Sequence, residues 1–291
     1  MSTNAPSPIR WSGGDSNDLA GEVWGDGQPA VVLLHGAGQT HHAWGNTGLR
    51  FAEKGLTTAA LDLRGHGASS WDPLARYAFP DHARDLSELR ARCADPLLLV
   101  GASLGGVVSL KSALGDPRGI RAVVLVDITP TMQMNGVARV VSFMRGNPDG
   151  FADLDEAREA IRTYQPHRRR QANDEGLRRN LRHNPETGRW IWHWDPRTLN
   201  YANPGWYVKQ ARDMSAAVRA LDALSIPVLV VRGEHSDVIL PRDVEQFRAL
   251  GSLTADITVA GARHMVAGDA NEVFLRGIFE ALSEIEPRVA S

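Results

Sequence analysis

The chain has 291 residues with 32 basic and 34 acidic side chains, so its formal net charge is only −2. This balance argues against a general nucleic-acid-binding protein, and the single cysteine, Cys93, excludes an internal disulfide and a multi-cysteine metal site. No apolar run reaches the roughly 18 residues of a membrane span, and the N-terminus lacks the apolar segment of a signal peptide, so we expect a soluble, cytoplasmic protein that binds no membrane.

Short apolar runs bounded by turn residues recur along the chain. They occupy residues 30–34, 57–63, 96–100, 121–126, 227–231 and 256–260. Continuous Leu and β-branched runs of this length are typical of strands buried on both faces of a sheet. The intervening segments, such as residues 103–114 and 269–282, have helical features. The alternation predicts an α/β fold with a mostly parallel, doubly wound sheet, preceded by a hairpin over residues 9–24.

The alternation breaks between residues 128 and 224, where apolar runs become scarce. Residues 158–197 contain ten Arg and five acids, a local charge of +5. Residues 184–188 are typical of a turn, and residues 189–194 alternate with the period of a strand. We therefore predict an inserted cap over residues 128–224, mainly helical with one short hairpin. Residues 1–127 and 225–291 then form the core domain.

The sharpest local motif is Gly101-Ala-Ser103-Leu-Gly105, which matches G-x-S-x-G. The motif has the context that its chemistry requires, with a predicted strand before it and a predicted helix after it. A nucleophilic serine projects from a sharp, strained turn, where glycines avoid collision with the neighbouring elements. The sequence therefore predicts Ser103 as a nucleophile. The alternative is a glycine-rich turn between a strand and a helix in which the serine has no catalytic role.

A nucleophilic serine needs a general base, which a third group orients. His264 follows the last predicted strand, at the edge of the sheet where α/β proteins bind ligands. Asp237 follows the penultimate strand, 134 residues after Ser103 and 27 before His264. This order of Ser, acid and His favours Asp237 as the orienting acid. Asp127, at the end of the run 121–126, stays as the alternative acid.

Residues His35-Gly36-Ala37-Gly38 follow the first buried strand and form a second glycine-rich loop. Such a loop can present a backbone N–H to a substrate oxygen, so we assign the oxyanion donors to the N–H groups of Ala37 and Leu104. His35 and Gly36 are also candidates for the wall of the substrate pocket. The loop does not match a phosphate-binding motif, and we expect neither a metal nor an organic cofactor.

The motifs HGAG, DLRGHG, GASLGG, GEHSD and GARH occur in an order that resembles the α/β-hydrolase superfamily, over residues 20–283. Within it, the chain is similar to capped bacterial serine esterases and cofactor-free haloperoxidase-like proteins. The resemblance implies an eight-stranded sheet with a cap inserted after Asp127, and a triad of Ser103, Asp237 and His264. Members related to epoxide hydrolases and haloalkane dehalogenases have Asp at the nucleophile position, where this chain has Ser103.

The predicted function is hydrolysis of a carboxylic ester, or a related acyl bond, of a small to medium apolar substrate through an acyl-enzyme. A C–C bond hydrolase or a perhydrolase could use the same triad, and a catalytically silent receptor could keep the fold. One side of the predicted cap strand carries three tryptophans, Trp190, Trp192 and Trp194. They form either an aromatic wall of the substrate pocket or a surface that packs the cap on the core domain. The expected partner is a small-molecule substrate, and no segment requires a homo-oligomer.

Overall fold

The computed structural model describes residues 5–164, 166, 173–200, 204–252, 254–262 and 271–289. The strands within these ranges are β1 (Ser7–Ser12), β2 (Asp18–Trp24), β3 (Val31–Leu34), β4 (Thr58–Leu61), β5 (Leu97–Ala102), β6 (Ile120–Val126), β7 (Leu181–His183), β8 (Trp190–Trp192), β9 (Val228–Gly233) and β10 (Thr254–Val259). The helices are α1 (Gly45–Glu53), α2 (Phe79–Arg90), α3 (Leu104–Gly115), α4 (Met134–Arg145), α5 (Leu154–Tyr164), α6 (Asp174–Arg178), α7 (Pro204–Ala223), α8 (Pro241–Arg248) and α9 (Asn271–Val289). None of these helices is long and apolar enough to cross a membrane.

The main sheet has eight strands in the order β1-β2-β4-β3-β5-β6-β9-β10. Only β2 runs antiparallel to its neighbours, β1 and β4, while the remaining pairs are parallel. The predicted mostly parallel sheet and its lead-in hairpin are therefore confirmed. Because β5, β6 and β9 are adjacent and parallel, the loops that follow them emerge side by side at one edge of the sheet.

Both faces of the sheet are buried, which explains the continuous apolar runs of its central strands. Along β3, Val32 and Leu34 belong to one hydrophobic cluster, with side chains of α2, α3 and α7. Val31 and Leu33 belong to the other, with Phe51 of α1 and with side chains of α9. Burying each such side chain stabilises the fold by about 1.5–3 kcal/mol. The result is a sheet between two helical layers, as the alternating pattern predicts.

The segment between β6 and β9 forms a cap over this edge of the sheet. It contains α4, α5, α6 and the antiparallel hairpin β7–β8, which pairs Leu181 with Trp192. The segment is thus mainly helical with one short hairpin, as the sequence predicts. Helix α7 ends the same segment, but its Met214 and Leu221 share a hydrophobic cluster with the sheet. The division into a core domain and a cap over residues 128–224 stays a prediction.

The cap is hydrogen-bonded to the loop that follows β4. The Gly67 N–H donates to His193 Nδ1 over 2.7 Å, and the Asp195 N–H donates to the Gly65 carbonyl over 2.8 Å. The Arg182 guanidinium donates to the carbonyls of Gly67 and Ser69. His193 is buried. These hydrogen bonds attach the cap to the loop after β4.

Candidate active site

Ser103 lies at the junction of β5 and α3 in a strained backbone conformation, with φ +45° and ψ −110°. Such a conformation costs about 1–3 kcal/mol in a non-glycine residue and persists where the surrounding structure enforces it. A Cβ atom on Gly101 would lie 2.3 Å from the Gly105 carbonyl, and one on Gly105 would lie 2.3 Å from the Leu34 carbonyl oxygen. The two glycines therefore let strand, turn and helix pack closely, which leaves Ser103 partly exposed.

The loop after β3 runs beside Ser103. A Cβ atom on Gly36 would lie 3.4 Å from the Ser103 Cβ, so the backbone of this loop is in contact range of Ser103. Within the part of the chain that the structure describes, the backbone N–H groups of Ala37 and Leu104 have no hydrogen-bond acceptor. Leu104 also begins helix α3, where the helix dipole favours negative charge. Oxyanion holes use backbone N–H groups that have no acceptor within the protein.

His35 at the start of this loop is fully buried. Its Nε2 accepts from the Leu63 N–H over 2.9 Å, and its Nδ1 lies 2.8 Å from the Gly36 carbonyl oxygen. Burial lowers the pKa of the His35 imidazole below its ordinary value, although the Asp62 carboxylate opposes this shift. A neutral His35 therefore ties the loop after β3 to the loop after β4.

Asp127 follows β6 and is completely buried at the edge of the sheet. Its position is next to Ser103, because β5 and β6 pair in register and the Ser103 N–H donates to the Val126 carbonyl over 3.1 Å. Its Oδ2 accepts from the Ser236 hydroxyl over 2.6 Å, and its Oδ1 accepts from the Gly233 N–H over 3.2 Å. The backbone of Asp127 has a φ of +51°, a second strained conformation at this edge.

Asp237 has a different environment in the loop after β9. Its side chain is 41% exposed, and its Oδ2 lies 2.6 Å from an Nη of Arg139 on α4. Arg139 in turn stacks over the ring of Tyr164 on α5. Asp237 thus makes a half-exposed ion pair between the core and the cap. The predicted base, His264, lies outside the described residues.

The three tryptophans of the cap hairpin meet in one hydrophobic cluster. Trp192 and Trp194 are buried and stacked, with ring centroids 4.7 Å apart and planes inclined by 13°. Their indole N–H groups donate to the carbonyls of Gly146 and Met144. Trp190 is only partly buried and lies beneath the guanidinium of Arg178. These contacts show the packing role that we considered for the cap tryptophans.

Two residues that our sequence analysis missed support the site. Ser236 is buried and donates its hydroxyl to Asp127, while its oxygen also accepts from the Val238 N–H. Gln39 accepts the Gly36 N–H over 2.9 Å through its side-chain oxygen and so shapes the loop beside Ser103. A polar residue three positions past a strand that ends in glycine is a weak signal for Ser236. No spacing rule links it to a carboxylate 109 residues away.

Comparison with known proteins gives consistent matches over most of the chain. A family model described as the alpha/beta hydrolase fold matches residues 29–270. The esterase Rv0045c of Mycobacterium tuberculosis is 30% identical over 236 residues, which cover 77% of this chain and 72% of that protein. The 2-(acetamidomethylene)succinate hydrolase of Mesorhizobium japonicum is 27% identical over 252 residues, and this match covers 86% of each protein.

Solved structures show the same fold. The crystal structure of E-2-(acetamidomethylene)succinate hydrolase matches with a TM-score of 0.78 at 23% identity, covering 96% of this chain and 100% of that one. A structure of the Mycobacterium tuberculosis esterase Rv0045c, refined together with work on its inhibition by transition metals, matches with a TM-score of 0.74 at 24% identity. It covers 94% of this chain and 92% of that one. The chain therefore belongs to the α/β-hydrolase family and is a hydrolytic enzyme that resembles the carboxylesterases.

Proposed function

We propose that this enzyme hydrolyses carboxylic esters of small to medium apolar substrates through an acyl-enzyme on Ser103. The strained turn that projects Ser103 between β5 and α3 is the observation that carries the proposal. A bystander serine in a glycine-rich turn would not require a φ of +45°, whereas a nucleophile at the tip of a strand–turn–helix motif does. The similarity to a named esterase points to the same class of reaction.

The proposed mechanism has two halves. His264 takes the proton from the Ser103 hydroxyl, and the Ser103 oxygen attacks the ester carbonyl carbon. The N–H groups of Ala37 and Leu104 stabilise the resulting oxyanion. His264 then returns the proton to the alcohol that leaves. In the second half, His264 takes a proton from a water molecule as the water oxygen attacks the acyl carbonyl carbon. His264 then returns this proton to the Ser103 oxygen as the bond to the acyl group breaks and the carboxylic acid leaves.

The contacts of the two candidate acids support Asp127, rather than Asp237, as the group that orients His264. Two hydrogen-bond donors hold a buried carboxylate in one orientation. In a low-dielectric site, such a carboxylate stabilises an imidazolium more strongly than an exposed carboxylate does in water. Asp127 has this environment, with Ser236 and Gly233 as donors. Asp237 is exposed and is already paired with Arg139. We keep Asp237, which the order of the chain favours, as the alternative.

The surroundings of the oxyanion loop support an apolar acyl group. Ala37 packs against the hydrophobic cluster of the cap, as do Val140 and Phe143 of α4. A Cβ atom on Gly38 would lie 3.2 Å from the Met144 sulfur. Aliphatic and aromatic side chains therefore adjoin the position proposed for the oxyanion. Pockets that bind small apolar ligands are lined in this way, with a few polar groups that fix the orientation.

The nucleophile is tested by fluorophosphonate labelling and by hydrolysis of p-nitrophenyl esters of graded chain length. We expect the wild type to be labelled and to turn over the shorter esters, and we expect Ser103→Ala to lose labelling and about 10⁴-fold or more in kcat. Ser142→Ala, an exposed serine on α4, is the control and should behave as wild type. Near wild-type turnover by Ser103→Ala would refute the proposal.

The acid is tested by comparing Asp127→Asn with the matched variant Asp237→Asn. Replacing the orienting carboxylate by an amide should lower kcat by about 10³–10⁴-fold. It should also move the acid limb of the pH profile of kcat/KM to lower pH, because the imidazolium of His264 loses a negative partner. We expect both effects for Asp127→Asn and neither for Asp237→Asn. The reverse result would identify Asp237 as the acid.

A further inference from the structure

A second group of chemically active side chains lies at the far end of the loop that carries Ala37. Glu22 projects from β2, and His41 and His42 begin the short helical turn His41–Trp44 that precedes α1. One ligand atom from each of the three side chains lies within 4.8 Å of the other two. We propose that Glu22, His41 and His42 form a binding site for a divalent first-row transition-metal ion, such as Zn²⁺ or Ni²⁺.

The Asp62 carboxylate lies beside one of these imidazoles. His41 Nδ1 lies 2.9 Å from an Asp62 carboxylate oxygen, while His41 Nε2 lies 4.0 Å from a Glu22 carboxylate oxygen. The backbone N–H of His41 donates to the same Asp62 oxygen over 2.7 Å. Metal-binding histidines commonly have such a carboxylate on the nitrogen that does not face the metal, because it fixes the ring and raises its basicity. His41 is therefore set to offer Nε2 to an ion beside Glu22.

The charges of the site match a divalent cation. Two carboxylates, those of Glu22 and Asp62, lie beside the His41 ring. Arg179 lines the same surface cleft as Glu22 and His42. The Arg179 guanidinium is itself paired with Glu175 over 2.5 Å, which reduces its repulsion of a cation.

The donor set selects the class of metal. Two imidazoles and one carboxylate suit zinc, nickel and copper, whereas magnesium and calcium prefer oxygen ligands alone. Donor atoms around a tetrahedral zinc ion are about 3.3 Å apart, given bond lengths of about 2.0–2.1 Å. The 4.0 Å between His41 Nε2 and Glu22 therefore closes with a small side-chain rotation. Glu22 and His42 both line a surface cleft, which gives the ion an entry path from solvent.

The experiment is calorimetric titration of the full chain with ZnCl₂, with the visible spectrum of added Co²⁺ as a second readout. We expect the wild type to bind one equivalent of Zn²⁺ at this site and to give Co²⁺ a tetrahedral spectrum. Glu22→Gln and His42→Ala should weaken binding at least about tenfold, because each removes a direct ligand. Glu22→Gln keeps the size of the side chain, and its thermal midpoint without metal should equal that of the wild type.

Two controls separate this site from other imidazoles. His235→Ala removes an exposed histidine 3.8 Å from the Glu234 carboxylate. Among the residues that the structure describes, this His–Glu pair belongs to no group of three potential metal ligands. His264→Ala removes the proposed catalytic base. Both variants should retain the bound equivalent of Zn²⁺ and the Co²⁺ spectrum. The inference is overturned if Glu22→Gln and His42→Ala bind Zn²⁺ like the wild type, or if binding disappears only in His264→Ala.

Discussion

The contact between helix α3 and strand β3 allows a sharp comparison of one substitution at two positions. Gly105 and Gly115 both belong to α3, and Gly→Ala in a helix is worth about 0.5–1 kcal/mol of stabilisation where space permits. A Cβ atom on Gly115 meets nothing within 4 Å. A Cβ atom on Gly105 would lie 2.3 Å from the Leu34 carbonyl oxygen and 2.7 Å from its carbonyl carbon. Backbone atoms cannot rotate away, so the helix itself has to move by about 1 Å to reach an ordinary carbon–oxygen separation.

We therefore expect opposite outcomes for the two variants. Gly115→Ala should leave kcat unchanged and raise the free energy of unfolding by up to about 1 kcal/mol. Gly105→Ala should lower that free energy by about 1–3 kcal/mol through overpacking. It should also lower kcat by about 100-fold, because a displacement of about 1 Å moves the Leu104 N–H away from the oxyanion. Urea titration and p-nitrophenyl ester hydrolysis measure both quantities. A Gly105→Ala enzyme with kcat within about threefold of wild type would refute this account of the turn.

Two further predictions concern stability. Asp85 and Arg64 form a buried bidentate ion pair with two N···O distances of 2.6 Å. Asp85→Asn should therefore lower the free energy of unfolding, measured by urea titration, by about 3–5 kcal/mol. A decrease of less than about 1 kcal/mol would contradict this expectation. Burial lowers the pKa of several imidazoles, that of His66 to about 3, whereas the unfolded chain has a histidine pKa of about 6.5. Stability is then fully present above about pH 6.5 and declines as the pH falls toward 3, since the unfolded state binds more protons. Thermal midpoints that stay constant between pH 7 and pH 5 would contradict it. These imidazoles are His35, His66, His82 and His193.

The core of the fold could be predicted because its strands are buried on both faces. Residues 30–34, for example, have no polar side chain to break the apolar run, and Val31–Leu34 forms a strand with both faces covered. Helix α7 was harder to recognise, because it lies in the segment where apolar runs are scarce. Its buried residues follow a helical period and are interrupted by Arg, Asp and Lys. The composition of this segment therefore favoured a cap, although Met214 and Leu221 pack with the sheet.

The candidate site was predictable to the extent that its groups are consecutive in the chain. Gly101, Ser103 and Gly105 are neighbours, so one local motif contains the whole turn. The choice between Asp127 and Asp237 depends on burial, and the burial of Asp127 depends on Ser236 and Gly233, which are more than 100 residues away. The sequence pattern did not identify His41 as a candidate metal ligand, for the same reason. Its partners Glu22 and Asp62 come from strand β2 and from the loop directly after β4, which only the sheet brings together.

The hydrogen bonds between the cap and the loop after β4 have a consequence for engineering. His193, Asp195 and Arg182 all bind the backbone of residues 65–69, so the cap hairpin and that loop form one hydrogen-bonded unit although they are far apart in the chain. A cap exchanged between two relatives would meet a foreign loop and leave buried polar groups without partners. The transferable module is therefore discontinuous, and a chimera that exchanges specificity has to carry both segments from the same donor.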